Sequence, residues 1–381
     1  MFKVRRNYLK KAIRGKGLGA VLLDSPSNLY YYTGFTGGEA VFLMTADSGQ
    51  DSGYIITDSR YYEQVEKECP ELTLVRLEKT DYSTVVKELL EKIGILGGAM
   101  NDGAPSAGAE KESNEKGGVA IEASMSLSRY LKLCKTCGDS LFQIEEDLIQ
   151  ESRMVKDEEE LLKIAKAEAI GDSAFDYILD VIKPGVTEAE IALELEFFMK
   201  RQGASKLSFD TIVASGPNSS MPHAQVTDRK LEKGDFVTMD FGCVYQGYCS
   251  DMTRTVALGT PSDEMRKVYQ IVLDANMRAM DGIRAGAECR EIDALARDYI
   301  AKQGYGDFFG HGLGHSVGLE IHEEPRFSPK CKVVTKENMV ITDEPGIYLP
   351  GQFGVRIEDL VVVKKDGCDC LSHSPKELIV L

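Results

Sequence analysis

Two segments in the second half of the chain, each with a turn between two acidic β-type runs, constrain the fold most. In "GDFVTMDFGCVYQGYCSDMTRTVALG", residues 234–259, the midpoint between Asp240 and Asp251 falls inside the turn "VYQG". A symmetric hairpin would therefore place the two aspartates opposite each other on one face. Directly opposed like charges destabilise a hairpin unless a cation lies between them or they share a proton.

The segment "NMVITDEPGIYLPGQFGVRIEDLVVV" repeats this arrangement, because the midpoint of Glu344 and Glu358 is Gly351 in its turn. The flanking runs are apolar, so both glutamates should be buried, and a buried unpaired carboxylate is costly. Solvated strand acids in slipped registers would explain one hairpin more readily than both. Four hard carboxylates with one or two imidazoles favour a pair of divalent ions, Mn²⁺ first, with Co²⁺ or Zn²⁺ as alternatives. A single tetrahedral zinc needs fewer acids.

Three of the five histidines, His311, His315 and His322, fall within "FFGHGLGHSVGLEIHEEP". The run "IHEEP" begins like the zinc motif HExxH, but Arg326 stands where the second histidine belongs, and Pro325 interrupts the required helix. The glycines around His311 and His315 also disfavour a helix, so the sequence predicts a loop that leads into a strand.

The two remaining histidines have different settings. His223 lies in "SGPNSSMPHAQVTDRKLEKGD", a loop rich in turn formers ahead of the first acidic hairpin, whereas His373 near the C-terminus is expected on the surface. A histidine on its own is more often structural than functional. Four histidines beside two acid pairs instead indicate an active site.

The first part of the chain alternates short apolar runs with helical patterns, which is typical of an α/β domain. The stretch Gly97–Gly118 is rich in Gly, Ala, Ser and charged residues, and we interpret it as an exposed loop. A new unit follows, in which Asp157 and Glu160 fit a helix capping box. We therefore predict two domains, 1–147 and 148–381.

Composition narrows the choice of partners and compartment. A net charge of −16 and a pI near 4.9 argue against nucleic acid and anionic membranes. No apolar run approaches the ~20 residues of a membrane-spanning helix, and the basic start of the chain lacks a signal-peptide core, so a cytoplasmic protein is predicted. Nine cysteines do not suggest a disulfide framework, and we interpret Cys134 and Cys137 as structural or incidental.

Four stretches together resemble the successive motifs of the pita-bread metallopeptidases, in the branch of aminopeptidase P and prolidase. They are "FDTIVASGPNSSMPHA", "GDFVTMDFGCVYQGYCSDMTRT", "HGLGHSVGLEIHEEP" and "TDEPGIYLPGQFGVRIEDL", within residues 209–360. The segments "DSPSNLYYYTGFTG" and "ITDSRYYEQ" resemble, more weakly, the creatinase-like N-terminal domain of the same branch. The resemblance implies an α/β creatinase-like N-terminal domain, an α+β C-terminal pita-bread (creatinase/aminopeptidase) domain, and a homodimer.

The resemblance also implies that five side chains hold two divalent ions: Asp240, Asp251, His315, Glu344 and Glu358. Asp251 and Glu358 would bridge both ions. Asp240 would bind one ion, and His315 and Glu344 would complete the site of the other. This set agrees with the acid pairs that the hairpins alone suggest.

Six residues are expected to act on the substrate: His223, His322 and Glu344 as catalytic groups, and His311, Arg356 and Tyr348 as substrate-binding groups. The histidines His223 and His322 would stabilise the developing oxyanion, and Glu344 would carry a proton to the leaving nitrogen. Arg356 is two residues before Glu358 on a predicted strand, so it shares that face and could orient a carboxylate by a bidentate contact.

The function that the resemblance implies is dinuclear metal-dependent hydrolysis of the peptide bond before proline. We predict an Xaa-Pro aminopeptidase, which releases the N-terminal residue from proline-containing peptides. A strict Xaa-Pro dipeptidase is the alternative. Two more distant readings are a creatinase-like C–N hydrolase, which would not need the full carboxylate set, and a non-catalytic peptide-binding module of the same fold.

Overall fold

A computed structural model describes residues 1–46, 53–78, 80–97 and 117–381 of the chain. Apart from its end residues, the predicted exposed loop Gly97–Gly118 lies outside this described set. The chain divides into two compact units, Met1–Ser152 and Arg153–Leu381. No helix among the described residues combines the length and the apolar character needed to cross a membrane.

The first unit is a mixed sheet covered by helices, as the alternating pattern predicts. Its described elements are α1 (Phe2–Gly15), β1 (Ala20–Leu23), α2 (Pro26–Thr33), β2 (Val41–Thr45), β3 (Gly53–Asp58), α3 (Tyr62–Glu68), β4 (Thr73–Leu77), α4 (Tyr82–Lys92), β5 (Val119–Ile121), α5 (Leu127–Cys137), β6 (Phe142–Ile144) and α6 (Glu146–Met154). The described strands pair in the order β4-β3-β2-β1-β5-β6. Leu22, Leu43 and Ile56 of the sheet pack with Val86 and Leu90 of α4 in its core.

The second unit contains two pairs of long helices, and each pair is followed by a group of strands. Its described elements are α7 (Glu158–Leu179), α8 (Glu188–Arg201), β7 (Lys206–Leu207), β8 (Ile212–Ser215), β9 (Phe236–Phe241), β10 (Cys243–Tyr245), β11 (Tyr248–Cys249), β12 (Met252–Ala257), α9 (Asp263–Gly282), α10 (Cys289–Lys302), β13 (Gly314–Ser316), β14 (Glu323–Phe327), β15 (Val340–Asp343), β16 (Gly346–Leu349), β17 (Phe353–Arg356), β18 (Asp359–Val363) and β19 (Cys368–Cys370). The predicted capping box of Asp157 and Glu160 is present at the start of α7.

Strand order in this unit brings the two acidic segments close together. The described ladders are β12-β9-β8, β11-β10-β7, β14-β13-β15-β18-β19 and β16-β17. Helices α7 and α8 cover the first acidic hairpin, where Ile170 and Leu195 share a core with Met239. Helices α9 and α10 cover the second segment, where Val272 packs with Ile341. Because helices cover the apolar faces of antiparallel sheets, the predicted α+β architecture of this domain is confirmed.

The register of the first hairpin differs from the prediction. Thr253, and not Asp251, pairs with Asp240, because the turn consists of Gln246 and Gly247 and lies later than a symmetric midpoint. Both turn residues have positive φ, 48° and 91°, which is typical of a type I′ turn with glycine in second place. The prediction that the two aspartates face each other directly is therefore wrong. In this register Asp251 would pair with Gly242, so the aspartates lie diagonally.

The second hairpin follows the predicted register. Gly346 pairs with Arg356 and Leu349 with Phe353, so the turn is centred on Gly351. The ladder between β15 and β18 keeps the same register. Glu344 and Glu358, which lie between these two ladders, are therefore opposite each other, and this prediction is confirmed.

Candidate metal centre

Three buried side chains converge at the ends of three strands. Asp251 directly precedes β12, His315 lies in β13, and Glu358 directly precedes β18. One potential ligand atom of each lies within 4.8 Å of the other two. The Nε2 atom of His315 is 3.5 Å from Oδ2 of Asp251 and 3.5 Å from Oε1 of Glu344.

The other two predicted ligands border the same space, a cavity of about 510 Å³. One oxygen of Asp240, Oδ2, accepts a hydrogen bond of 2.6 Å from Nη2 of Arg356. The other, Oδ1, is buried and has no hydrogen-bond partner among the described residues. Glu344 accepts a weak contact of 3.3 Å from the hydroxyl of Thr342. A buried carboxylate oxygen without a partner is what a site built for a cation would contain.

The clustering of buried acids raises the pKa of several of their carboxyl groups. Burial, followed by repulsion from Glu358 and Asp240, raises the pKa of Asp251 well above its ordinary value. Burial and repulsion from Glu344 do the same to the pKa of Glu358. Burial is also the main reason that the pKa of Glu344 rises to about 8. Burial among other acids thus favours the protonated forms of these carboxyl groups, whereas bound divalent cations would favour their ionised forms.

The histidine at the centre is in the form that binds metals. Burial, with repulsion from His322, lowers the pKa of His315 to about 3, so the imidazole is neutral near pH 7. Nδ1 of His315 lies 3.2 Å from the carbonyl oxygen of Ser316, a contact that orients the ring and leaves Nε2 towards the acids. Hard carboxylate oxygens with one neutral imidazole fit divalent ions such as Mn²⁺.

Arg356, Tyr348 and His311 form a hydrogen-bonded chain beside Asp240. Nη1 of Arg356 donates to the Tyr348 hydroxyl at 2.9 Å, and that hydroxyl lies 3.0 Å from Nε2 of His311. Nδ1 of His311 is 2.8 Å from the Gly312 carbonyl, so this ring nitrogen carries the proton and Nε2 accepts from the tyrosine. Burial, with repulsion from Arg356, lowers the pKa of His311 to about 4. The chain holds a neutral histidine against the cavity wall.

The predicted bidentate contact of Arg356 is not present. A single nitrogen, Nη2, reaches the Asp240 carboxylate, because Nη1 also donates to the Pro222 carbonyl at 3.2 Å and Nε donates to Thr253 at 2.9 Å. The guanidinium is buried, and its engaged nitrogens leave it little capacity for a substrate carboxylate. Tyr348 is buried too, and burial raises the pKa of its hydroxyl to about 12.

His322 and His223 face the cavity from two loops, and both are exposed. The ring of His322 meets the ring of His315 edge to face, with 4.5 Å between the ring centroids. His223 follows a 3₁₀ turn, Gly216–Ser220. His373 is exposed on the surface beside Asp172, as expected. The structure thus gathers the four motif histidines around one cavity, and their individual roles stay predictions.

Two charged residues that the sequence analysis did not select also line the cavity, Arg326 and Asp210. The side chain of Arg326 is 49% exposed, and its Nε is 3.4 Å from the Glu324 carboxylate. The alternation of side chains along a strand could have indicated that Arg326 lies near His322, because positions 322, 324 and 326 share one face of an extended segment. By the same rule, Asp210 shares a side with Ile212, which also lines the cavity.

Two family models match the chain. The model described as "Metallopeptidase family M24" matches residues 163–365, and "Creatinase/Prolidase N-terminal domain" matches residues 5–155. Together they cover the parts of the sequence that carry the motif resemblance.

Similar proteins cover the whole chain. An Xaa-Pro dipeptidase from Pyrococcus furiosus is 36% identical over 379 residues, which are 99% of this chain and 100% of the relative. The solved structure described as "Xaa-Pro dipeptidase from Bacillus anthracis" is 38% identical, with a TM-score of 0.90 and full coverage of both chains. An X-Pro aminopeptidase structure from Thermotoga maritima is 37% identical, with a TM-score of 0.85 and 99% coverage of both.

Proposed function

Because the chain belongs to metallopeptidase family M24, we propose that it is an Xaa-Pro dipeptidase that works with two divalent metal ions. Family membership confirms the predicted pita-bread resemblance, the two-domain fold and the class of metallo-exopeptidase. The first prediction from the sequence is an Xaa-Pro aminopeptidase. The relatives with a named activity support its alternative better, since they include the Xaa-Pro dipeptidases of Pyrococcus furiosus and Pyrococcus horikoshii.

The observation that carries this choice is the position of Arg326. A dipeptide has its C-terminal carboxylate on the proline itself, one residue beyond the bond that is cleaved. The half-exposed guanidinium of Arg326 lines the cavity close to His322 and can pair with a carboxylate there. A longer peptide presents a neutral amide at this place, so Arg326 favours the dipeptide.

The ions would be held by the five ligands that the sequence predicts, Asp240, Asp251, His315, Glu344 and Glu358. When bound, two divalent ions polarise the scissile carbonyl and lower the pKa of the attacking water. We propose Mn²⁺ as the first candidate, with Co²⁺ or Zn²⁺ as alternatives, because four hard oxygen ligands dominate the set.

The remaining steps fall to the chain's own side chains. Glu344 borders the cavity and would take the proton of the attacking water and deliver it to the proline nitrogen, which leaves as a secondary amine. His322 and His223 face the same space and would donate hydrogen bonds to the developing oxyanion. The chain of Arg356, Tyr348 and His311 would keep Asp240 oriented.

We also propose a homodimer that acts on proline-containing peptides in the cytoplasm. The motif resemblance supports the dimer, and the substrates named for the relatives support the peptides. All nine cysteines are free thiols, which suits a reducing compartment. The net charge of −16 argues against nucleic acid as a partner.

The function is tested by comparing Met-Pro with Met-Pro-Ala as substrates in the presence of Mn²⁺. We expect kcat/KM for the dipeptide to exceed that for the tripeptide by about tenfold or more, the scale of one charge-assisted contact. Equal rates, or faster cleavage of the tripeptide, would contradict dipeptidase specificity and support the aminopeptidase. That second function is favoured by the similarity to the Thermotoga maritima structure.

Arg326→Met should remove the preference for dipeptides. Without the guanidinium, we expect kcat/KM for Met-Pro to fall about 10- to 100-fold, because a charge-assisted contact contributes about 1.5–3 kcal/mol. Cleavage of Met-Pro-Ala should change little. Arg326→Lys should restore part of the preference. A proportional loss on both substrates would show that Arg326 does not recognise the carboxylate.

His322→Ala should lower kcat for Met-Pro by about 10²–10³-fold, as loss of one oxyanion donor does, while bound metal stays unchanged. His373→Ala is the control, because that residue is exposed on the surface beside Asp172. Elemental analysis of both variants distinguishes an oxyanion donor from a metal ligand. Loss of metal from His322→Ala would show that His322 is a ligand and not a donor.

A further inference from the structure

The carboxylate of Glu188 is the anchor of one loop of the second unit. Glu188 is the first residue of α8 and is 0% exposed. Its Oε1 accepts hydrogen bonds from the amide and hydroxyl of Ser215, at 2.6 and 2.7 Å. Its Oε2 accepts from the side chain of Asn218 at 2.9 Å, and from the amide and hydroxyl of Thr227 at 3.1 and 2.6 Å. All five donors belong to residues 215–227.

This loop forms one wall of the cavity. Four consecutive residues of it, Pro222, His223, Ala224 and Gln225, line the cavity. The carbonyl oxygen of Pro222 also accepts from Nη1 of Arg356, the residue whose Nη2 binds Asp240. The loop therefore contacts both the cavity and the group that orients a predicted metal ligand.

The wall has little regular structure of its own. Its first part is the 3₁₀ turn Gly216–Ser220, where Ser219 and Ser220 accept from the amides of Gly354 and Gly351. The following residues, 221–227, form no helix and no strand. Glu188 bonds to Asn218 before this segment and to Thr227, its last residue. Glu188, which is not among the residues that line the cavity, therefore bonds to the chain on both sides of His223.

We infer that Glu188 is a positioning residue, which acts by placing the part of the wall that carries His223. This inference rests on the proposed function for its kinetic test. This position requires a carboxylate, because all the hydrogen-bond partners of Glu188 are donors and only a side chain with two acceptor oxygens satisfies them all. The N-terminus of α8 also favours a negative charge at this place.

Glu188→Gln tests the inference with almost no change in size. Whichever way the amide is oriented, its NH₂ group faces donors, either the two from Ser215 or the three from Asn218 and Thr227. We expect kcat/KM for Met-Pro to fall about tenfold or more, with bound metal unchanged. Glu190→Gln is the matched control, because Glu190 lies in the same helical turn, is exposed, and accepts side-chain hydrogen bonds only from its capping partner Thr187 among the described residues.

A double variant separates positioning from simple stability. If Glu188 acts through His223, Glu188→Gln should have an effect of less than about threefold in a His223→Ala background. An equal fold loss in both backgrounds would overturn the inference. A lower melting temperature with unchanged kcat/KM in Glu188→Gln would overturn it as well.

A measurement that needs no catalysis keeps this inference separate from the proposed function. If the wild-type protein cleaves no dipeptide, the proposed function fails by itself. Hydrogen exchange then reports on the loop, because the amides of Ser215 and Thr227 are bonded to Glu188. In Glu188→Gln one of these amides loses its oxygen acceptor, so we expect at least one of the two to exchange at least about tenfold faster, which corresponds to about 1.4 kcal/mol. Unchanged exchange of both amides would overturn the inference without any activity data.

Discussion

Asp251→Asn should abolish cleavage of Met-Pro, with a fall in kcat of about 10³-fold or more, the scale of losing a main source of transition-state stabilisation. It should also lower the metal content, because potential ligand atoms of Asp251, His315 and Glu358 all lie within 4.8 Å of one another. The matched control is Asp281→Asn, an exposed acid at the end of α9, which should keep both activity and metal.

Although Asp251→Asn should lower activity, it should raise the stability of the metal-free protein. In the metal-free protein Asp251 is buried against other acids, and that burial and repulsion raise its pKa well above the ordinary value. Asparagine is neutral and avoids the cost of burying this carboxyl group, either charged or protonated, so metal-free Asp251→Asn should melt at a higher temperature than the metal-free wild type. Added Mn²⁺ should stabilise the wild type but not the variant. Full activity, or equal stabilisation by Mn²⁺, would contradict the account.

Glu323→Gln has the second large expected effect, on stability. The Glu323 carboxylate is buried, bonded by Arg153, and 3.1 Å from Nζ of Lys156. Burial alone would raise the pKa of Glu323, but Lys156 and Arg153 outweigh it and lower the pKa from 4.5 to about 2. This difference corresponds to about 3 kcal/mol of folding free energy near pH 7. Glutamine would lose it and leave two buried cations without their counter-charge.

The pH dependence gives the sign of this effect. A carboxyl whose folded pKa is lowered stabilises the protein above its unfolded pKa, here 4.5, and the contribution disappears as the pH falls towards 2. The difference in unfolding free energy between wild type and Glu323→Gln should be about 3 kcal/mol at pH 7 and shrink below pH 4.5. Glu324→Gln, at a partly exposed neighbouring position, is the control. A difference that stays constant between pH 7 and pH 3 would sink this explanation.

The two acidic hairpins show what the sequence could predict. The register around Glu344 and Glu358 was predictable because the turn is centred on Gly351, and the ladders on both sides keep that symmetry. The register around Asp240 was not, because the positive φ of Gln246 and Gly247 shifts the turn. Both acid pairs still border one cavity, since a diagonal neighbour on a strand shares the same face.

Contacts between distant residues were less predictable. Strand spacing placed Arg356 beside Glu358, but its partners Tyr348 and Pro222 occupy the nitrogen that a bidentate contact would need. The sequence shows Arg326 only as the residue that breaks a zinc motif. The role of Glu188 was not predictable, because a glutamate after a helix cap is ordinary in a sequence. Only the fold brings five donors around its carboxylate.

The most direct test of the central claim is a titration of metal-free protein with Mn²⁺ while cleavage of Met-Pro is measured. We predict no cleavage without metal and an activity that stops rising once two ions per chain are bound, with elemental analysis giving the same ratio. Asp251→Asn should stay inactive across the titration. Cleavage by the metal-free protein, or no cleavage at any metal content, would contradict the account.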